Sequence, residues 1–286
     1  MRFFTVRAFA ETEEQGNAAG VVLPDPDERI RAGKMQETAR KTGFSETAFI
    51  SKLNEDEFSV RFFTPTEEIA MCGHASIASA IVLRRTGLLK KDSCVFHTMH
   101  EDVDILLENP VVWLKFGKPR ILYELPDDIV NELCAAYGLK LSDLCPGMYP
   151  AVVNAGIPDI QFPVSSRKAL LDAVQDTDAV TYITGRLDVV GVHMFYVPEK
   201  QPVRAYCSNF APRFGIDEEC ATGTANAGLT YYLYKKNIIH SDESNCILQG
   251  EHMGVPSKIY SRIIQDRDGI SVMIGGTGVI CRSETI

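Results

Sequence analysis

Polar and apolar residues alternate with a period of two from residue 2 to residue 9, which predicts a first strand. A polar turn at 12–16 leads to Gly20-Val21-Val22-Leu23, a second strand stopped by Pro24 and Pro26. The pattern then predicts a helix over 30–41, strands over 46–50 and 58–63, and a helix that follows Gly73 and ends near Gly87. Two or three strands fit 95–116. The stretch 117–127, with Pro119 and Pro126 and no clear period, reads as a linker. Beyond it come a helix over 128–137, a strand-like 151–156, a helix over 167–176, and strands over 180–183, 189–197 and 203–208. A second glycine turn and helix follow Gly223. Strands over 258–261 and 270–280 close the chain, the last broken at Gly275-Gly276.

The two glycine turns repeat one another. Val60-Arg61 leads into Cys72-Gly73-His74-Ala75-Ser76, and Val203-Arg204 leads into Thr222-Gly223-Thr224-Ala225-Asn226, with positions 72 and 222 in one gapless register through Leu83 and Leu233. Each copy reads as a strand, a glycine turn and a helix N-terminus. Such a terminus presents unpaired amides and the positive end of the helix dipole, so both are candidate anion sites, with Gly73 and Gly223 allowing close approach. The plainer alternative is two tight turns ahead of buried helices. The repeat implies two related halves, 1–117 and 118–286, with the last strand free to cross back to the first half. Each half is expected to be a mixed sheet curved around its repeat helix.

The 286 residues, 45% hydrophobic and 23% charged, suit two globular domains of similar size. A net charge of −9 argues against nucleic acid as a partner, since phosphate binding relies on clustered cations. Eight scattered cysteines without a Cys-x-x-Cys pattern read as reduced thiols, and no apolar stretch is long enough for a signal peptide or a membrane span. A cytoplasmic protein without membrane contact is the expectation.

No glycine-rich nucleotide motif occurs, and Cys94, His97 and His100 lack the partners that a zinc site needs, so neither cofactor nor metal is expected. Glu46 is the notable acid. It lies in Gly43-Phe44-Ser45-Glu46-Thr47-Ala48-Phe49-Ile50 and shares alternation parity with Phe44, Ala48 and Ile50, which aims a carboxyl toward the apolar side. Burial there would raise its pKa into a range suited to moving a proton. An edge-strand glutamate paired with a lysine is the competing reading.

Taken together, Gly16-Asn17 before a strand, Phe44-Ser45-Glu46-Thr47, Arg61-Phe62-Phe63-Thr64-Pro65 followed by Cys72-Gly73-His74-Ala75, and Phe210-Ala211-Pro212 followed by Gly215-Ile216-Asp217-Glu218-Glu219-Cys220-Ala221-Thr222-Gly223-Thr224 resemble the PhzF (phenazine biosynthesis) family over nearly the whole chain. The resemblance implies an α+β, diaminopimelate-epimerase-like fold of two pseudo-symmetric domains with the active site in the cleft between them. It implies a cofactor-independent isomerase acting on a small carboxylate-containing metabolite. In that family the Glu of the Ser-Glu-Thr-like motif is the general acid/base, a role that falls on Glu46. His74, Glu219 and Thr224 would hold substrate or assist proton transfer, and Asn17, Gly73, Thr222 and Gly223 would bind the substrate anion. The family's habit also implies a homodimer. Glu219 stands for the usual Asp, Cys220 for Pro and Thr224 for Ser, so the resemblance carries proton chemistry without carrying the phenazine precursor as substrate.

Two further readings stay open at this point. Related racemases set one cysteine at each helix terminus, where thiol pKa is lowered. Cys72 occupies the first such position and Thr222 the second, which leaves Cys72 as either a racemase thiol or a small packed residue below the site. A metabolite-binding homologue without activity is the other.

Overall fold

A computed structural model of the chain describes residues 1–25, 29–99, 102–199, 202–267 and 269–286; Pro26 and His100, named above, lie outside the described residues. The chain divides into two compact units, Met1–Lys115 with Gly275–Ile286, and Phe116–Ile274. In chain order the elements are β1 (Arg2–Ala8), β2 (Asn17–Leu23), α1 (Ala32–Thr42), β3 (Thr47–Lys52), β4 (Glu57–Phe63), β5 (Glu68–Ile69), α2 (Gly73–Arg85), β6 (Ser93–His97), β7 (Asp102–Glu108) and β8 (Val111–Gly117). They continue with β9 (Arg120–Glu124), α3 (Asp127–Ala136), β10 (Ala151–Asn154), β11 (Pro158–Pro163), α4 (Arg167–Asp172), α5 (Thr177–Leu187), β12 (Val192–Tyr196) and β13 (Ala205–Ala211). The last are β14 (Ile216–Glu219), α6 (Gly223–Lys235), β15 (Asn245–Gln249), β16 (Ser257–Asp266), β17 (Gly269–Gly276) and β18 (Gly278–Thr285).

The units share one wiring. In the first, β1–β2 is antiparallel, β2–β3 parallel, β3–β4 antiparallel and β4–β6 parallel, with β18 antiparallel on the far side of β1. In the second, β10–β11 is antiparallel, β11–β12 parallel, β12–β13 antiparallel and β13–β15 parallel, with β9 antiparallel on the far side of β10. The helices obey the same rule: α2 packs on β1, β2, β3 and β18, and α6 on β10, β11, β12 and β9. The sequence echo between positions 72 and 222 is therefore the visible part of a repeat that extends through every strand around both helices.

Alternation along the strands separates an inner face, toward the repeat helix, from an outer one. In the first unit the outer face, including Phe3, Val22, Phe49 and Phe63, forms a core with Met35 and Ala39 of α1. The alternate residues Phe4, Val6, Ala19, Val21, Ala48, Ile50, Val60 and Phe62 are buried and surround α2, whose Ala75, Ile77, Ala78, Ala80, Val82 and Leu83 are buried as well. A helix apolar on all sides is stable only when strands enclose it. In the second unit Val152, Ile160, Phe162, Val192, Met194 and Phe210 pack outward on residues of α3, α4 and α5.

Three sequence expectations need correction. The supposed linker at 117–127 contains β9, paired with β10; Pro119 and Pro126 flank that strand rather than interrupt it. The strand expected at 180–183 lies within α5, and the single helix expected over 167–176 is two helices. β-branched residues suggested a strand there, but the Asp176 side chain caps Ala179 N at 3.0 Å, and Val180, Ile183 and Thr184 recur on one buried helical face. Phe44 does not share the direction of Glu46: it precedes β3 and meets Phe3 in the outer core at 6.1 Å between ring centroids. Among the described residues no helix is long and apolar enough to cross a membrane.

Candidate functional site

Four side chains converge where α2 begins. Gly16 turns the chain into β2 with φ +74°, and a Cβ there would meet Ala8 O at 2.2 Å, so only glycine fits. That turn starts β2 at Asn17, opposite Ala8 on the inner face. Glu46 sits one residue ahead of β3, where its carbonyl accepts Gly20 N–H at 3.0 Å. Its side chain keeps the inward parity of Ala48 and Ile50. Cys72 occupies the N-cap position of α2, its carbonyl taking both the backbone N–H of Ser76 at 2.9 Å and the Ser76 hydroxyl at 2.8 Å. His74 follows one residue inside the helix and is only 4% exposed.

His74 is the hub. Its Nε2 lies 3.1 Å from Glu46 Oε2, a contact close enough for an ion pair although the ring N–H is not aligned on that buried oxygen as a hydrogen bond. Its Nδ1 lies 3.2 Å from Asn17 Nδ2 and 3.4 Å from Cys72 Sγ. Burial pushes the Glu46 carboxyl up, as expected from the sequence, but His74 and the Ser45 hydroxyl outweigh it and the group ends below its ordinary value of 4.5. This corrects the expectation of a raised glutamate: inward parity supplied a histidine as well as a dry environment. Burial pulls the His74 ring down, and Cys72 and Glu46 together reverse the effect and leave it well above 6.5. Burial raises the Cys72 thiol. A thiol that stays protonated carries no charge, so the Glu46 carboxylate is the lasting cause of the histidine shift. Cys72 is thus no mere packing residue; its sulfur touches the hub.

The beginning of α6 is built differently. Gln249, at the end of β15 and fully buried, accepts Thr222 N–H at 3.1 Å and Asn226 Nδ2 at 2.7 Å. Its own amide donates to Glu219 O at 2.6 Å and Thr222 Oγ1 at 3.2 Å. The Thr222 hydroxyl donates to the Glu219 carboxylate. Gly250 makes room for this bracket with φ +84°, since a Cβ there would meet Val255 O at 2.5 Å. Thr224 is half-buried on the first turn of α6, and Gly73 and Gly223 open the two helices. Neither helix has a side-chain cap on its first amides.

The polar lining extends down the inner face of the second unit. His193 in β12 lies opposite Asn209 in β13, with Nδ1 3.0 Å from Asn209 Oδ1, and burial pulls its pKa down to about 4. Asp159 in β11 is buried and raised to about 7 by that burial, against one hydrogen bond from the Gly191 backbone. Gln161 Nε2 donates to Ala225 O at 3.2 Å. Sequence reasoning missed Gln249, Asp159 and His193. Only Asn226, inside the repeated motif, carried a signal.

Glu46, Asn17, Cys72 and His74 thus form one cluster within the first unit, and Glu219 and Thr222 another within the second. Cys94 is buried with its thiol pushed up to about 12, and His97 pairs with Asp102 at 2.7 Å and Glu57 at 3.6 Å.

Residues 6–284 match the model of a family described as phenazine biosynthesis-like protein. The uncharacterized isomerase YddE of Escherichia coli is 28% identical, the match covering 97% of this chain and 95% of that protein. The trans-2,3-dihydro-3-hydroxyanthranilate isomerase of Pseudomonas aeruginosa is 28% identical, covering 97% and 96%. The crystal structure of a Bacillus anthracis phenazine biosynthesis protein of the PhzF family superposes with a TM-score of 0.89 at 21% identity, covering 100% of this chain and 98% of that one.

Proposed function

The chain belongs to the phenazine biosynthesis-like protein family and is an isomerase with a diaminopimelate-epimerase-like fold; from that premise we propose that Glu46 is its general acid/base, moving a proton within a small carboxylate-containing metabolite. The observation that carries this reading is the buried contact between Glu46 and His74. An ionised glutamate held beside a histidine accepts a proton without needing a metal or a nucleotide, and His74 stabilises the carboxylate before transfer and releases it as it becomes protonated. The first amides of α2 at Gly73 are offered to negative charge that develops on the substrate, with Asn17 orienting His74. Glu219, Thr222, Thr224 and Gly223 are proposed to supply the remaining substrate contacts.

Trans-2,3-dihydro-3-hydroxyanthranilate, named in the Pseudomonas aeruginosa relative, is the first compound to try. Glu219 and Thr224 differ from the family's usual Asp and Ser, so other cyclic amino or hydroxy acids follow it. Incubation in deuterated water with mass detection of the recovered compounds tests the reading. Deuterium taken up by the natural chain and lost with Glu46→Gln supports it, and uptake that persists in Glu46→Gln refutes it. The contact of Cys72 Sγ with His74 favours a second reading, a thiol-dependent racemase. That reading requires inactivation by Cys72→Ser, whereas the Glu46 mechanism tolerates it.

A further inference from the structure

We propose that Glu46, Cys72 and His74 form a capture site for a thiophilic divalent cation, zinc above all, and that occupation silences proton transfer by Glu46. Capture rests on the geometry alone; the silencing rests on the function proposed above.

The three ligand atoms lie within 4.8 Å of one another, and all belong to the first unit. His74 Nε2 is 3.1 Å from Glu46 Oε2 and 3.8 Å from Cys72 Sγ. An ion placed about 2.0 Å from the nitrogen and oxygen and about 2.3 Å from the sulfur would subtend roughly 100° between nitrogen and oxygen and roughly 125° between nitrogen and sulfur. Both angles fall near the tetrahedral value. The sulfur–oxygen edge would close to about 3.5 Å as the ion draws in thiolate and carboxylate. One sulfur, one imidazole and one carboxylate make a donor set that selects zinc, cadmium or cobalt over magnesium and calcium, which prefer oxygen alone. Three protein ligands leave the fourth position open to water.

The protonation states balance. Capture expels the Cys72 thiol proton to solvent, and thiolate plus carboxylate then neutralise the divalent charge. His74 must present an unprotonated Nε2, so its ring proton resides on Nδ1, where Asn17 sits at 3.2 Å. Turning the Asn17 amide over offers its oxygen to that proton, an outer hydrogen bond of the kind that holds a ligating imidazole in one tautomer. The same ion takes Glu46 out of service, because a carboxylate bound to metal cannot accept the substrate proton.

Cobalt titration of the full chain tests capture without any substrate. The expected result is saturable one-to-one binding with a near-ultraviolet thiolate-to-cobalt band and the strong visible bands of a tetrahedral ion, all displaced by zinc. Cys72→Ser and Cys72→Ala should both remove the near-ultraviolet band, and Cys281→Ser should leave it intact. Asn17→Asp should tighten and Asn17→Leu weaken binding, each by roughly 10- to 100-fold. A band that survives both Cys72 variants, or spectra without tetrahedral intensity, overturns the site. The second arm measures deuterium exchange with and without zinc. Exchange that stops with zinc and returns with a chelator supports silencing, and undiminished exchange in zinc-saturated protein overturns it. Exchange that is independent of Glu46, alongside intact cobalt spectra, would instead refute the proposed function and leave the capture site standing.

Discussion

The start of α2 and the start of α6 occupy the same place in two copies of one topology, yet one is built from groups that titrate and the other from groups that do not. Around α2 the inner strands present Phe4, Val6, Val21, Ala48 and Phe62, and polarity is concentrated at the helix end in Asn17, Glu46, Cys72 and His74. Around α6 the neutral amides of Gln249, Asn226, Gln161 and Asn209 saturate one another and the backbone. Even the shared detail makes the point: residue i+4 donates backbone and side chain to the carbonyl of residue i at both ends, from Ser76 to Cys72 and from Asn226 to Thr222. Asn226 then reaches on to Gln249, and Ser76 does not. An apolar sleeve leaves a few ionisable groups exposed to one another's charge, which shifts their pKa values. A sleeve of amides spreads polarity and fixes position.

The sharpest way to break this contrast is Glu46→Gln, which should lower solvent deuterium incorporation by roughly 10²- to 10⁴-fold while leaving the melting temperature near that of the natural chain. A loss below tenfold would mean that the ionisable end is not where the proton moves. Next in size, Gln249→Leu strands the Thr222 amide, the Asn226 amide and the Glu219 carbonyl, and should cost on the order of 3 kcal/mol in urea unfolding, against about 1 kcal/mol for Ser76→Ala. Equal costs would show that the amide bracket is no more structural than its counterpart.

A smaller effect is expected at Asp159. Its folded pKa of about 7 exceeds the unfolded value of 3.8. Between those values the unfolded chain holds fewer protons, so stability falls as pH rises through that window. Asp159→Asn should remove the fall, leaving the variant the more stable by up to a few kcal/mol at pH 8 and little different below pH 4. His193 has the opposite sign: its folded pKa of about 4 lies below the unfolded 6.5, so its contribution is lost as pH falls from 6.5 toward 4. The subtlest test concerns Glu46 in the intact site. Its depressed pKa places the acid limb of the exchange rate below pH 4.5, and His74→Asn, by leaving burial unopposed, should move that limb to higher pH. A limb that stays in place would remove His74 as the cause.

The repeat was legible because both glycine turns survive in one register, and Glu46 was legible because alternation alone aims it inward. The direction of its pKa was not, since that depends on His74, which lies 28 positions further along the chain (46 to 74) and meets Glu46 only after β2, β3 and α2 have assembled. Gln249 was invisible for a related reason. It lies outside every motif, and its role comes from register: β15 runs parallel to β13, with Gln249 opposite Cys207, which delivers its amide to the start of α6. The helix over Thr177–Leu187 was misjudged because local β-propensity was weighed ahead of an aspartate cap and a helical stripe.

The strand β18 has a consequence for synthesis. It lies along β1 from Arg2↔Thr285 to Ala8↔Gly278, so the sheet enclosing α2 takes in the first and the last stretches of the chain. As the polypeptide leaves the ribosome, the second unit holds all of its strands before residues 278–285 emerge, while the first waits with the inner edge of β1 uncovered. The half that carries Glu46 and His74 is therefore begun first and sealed last.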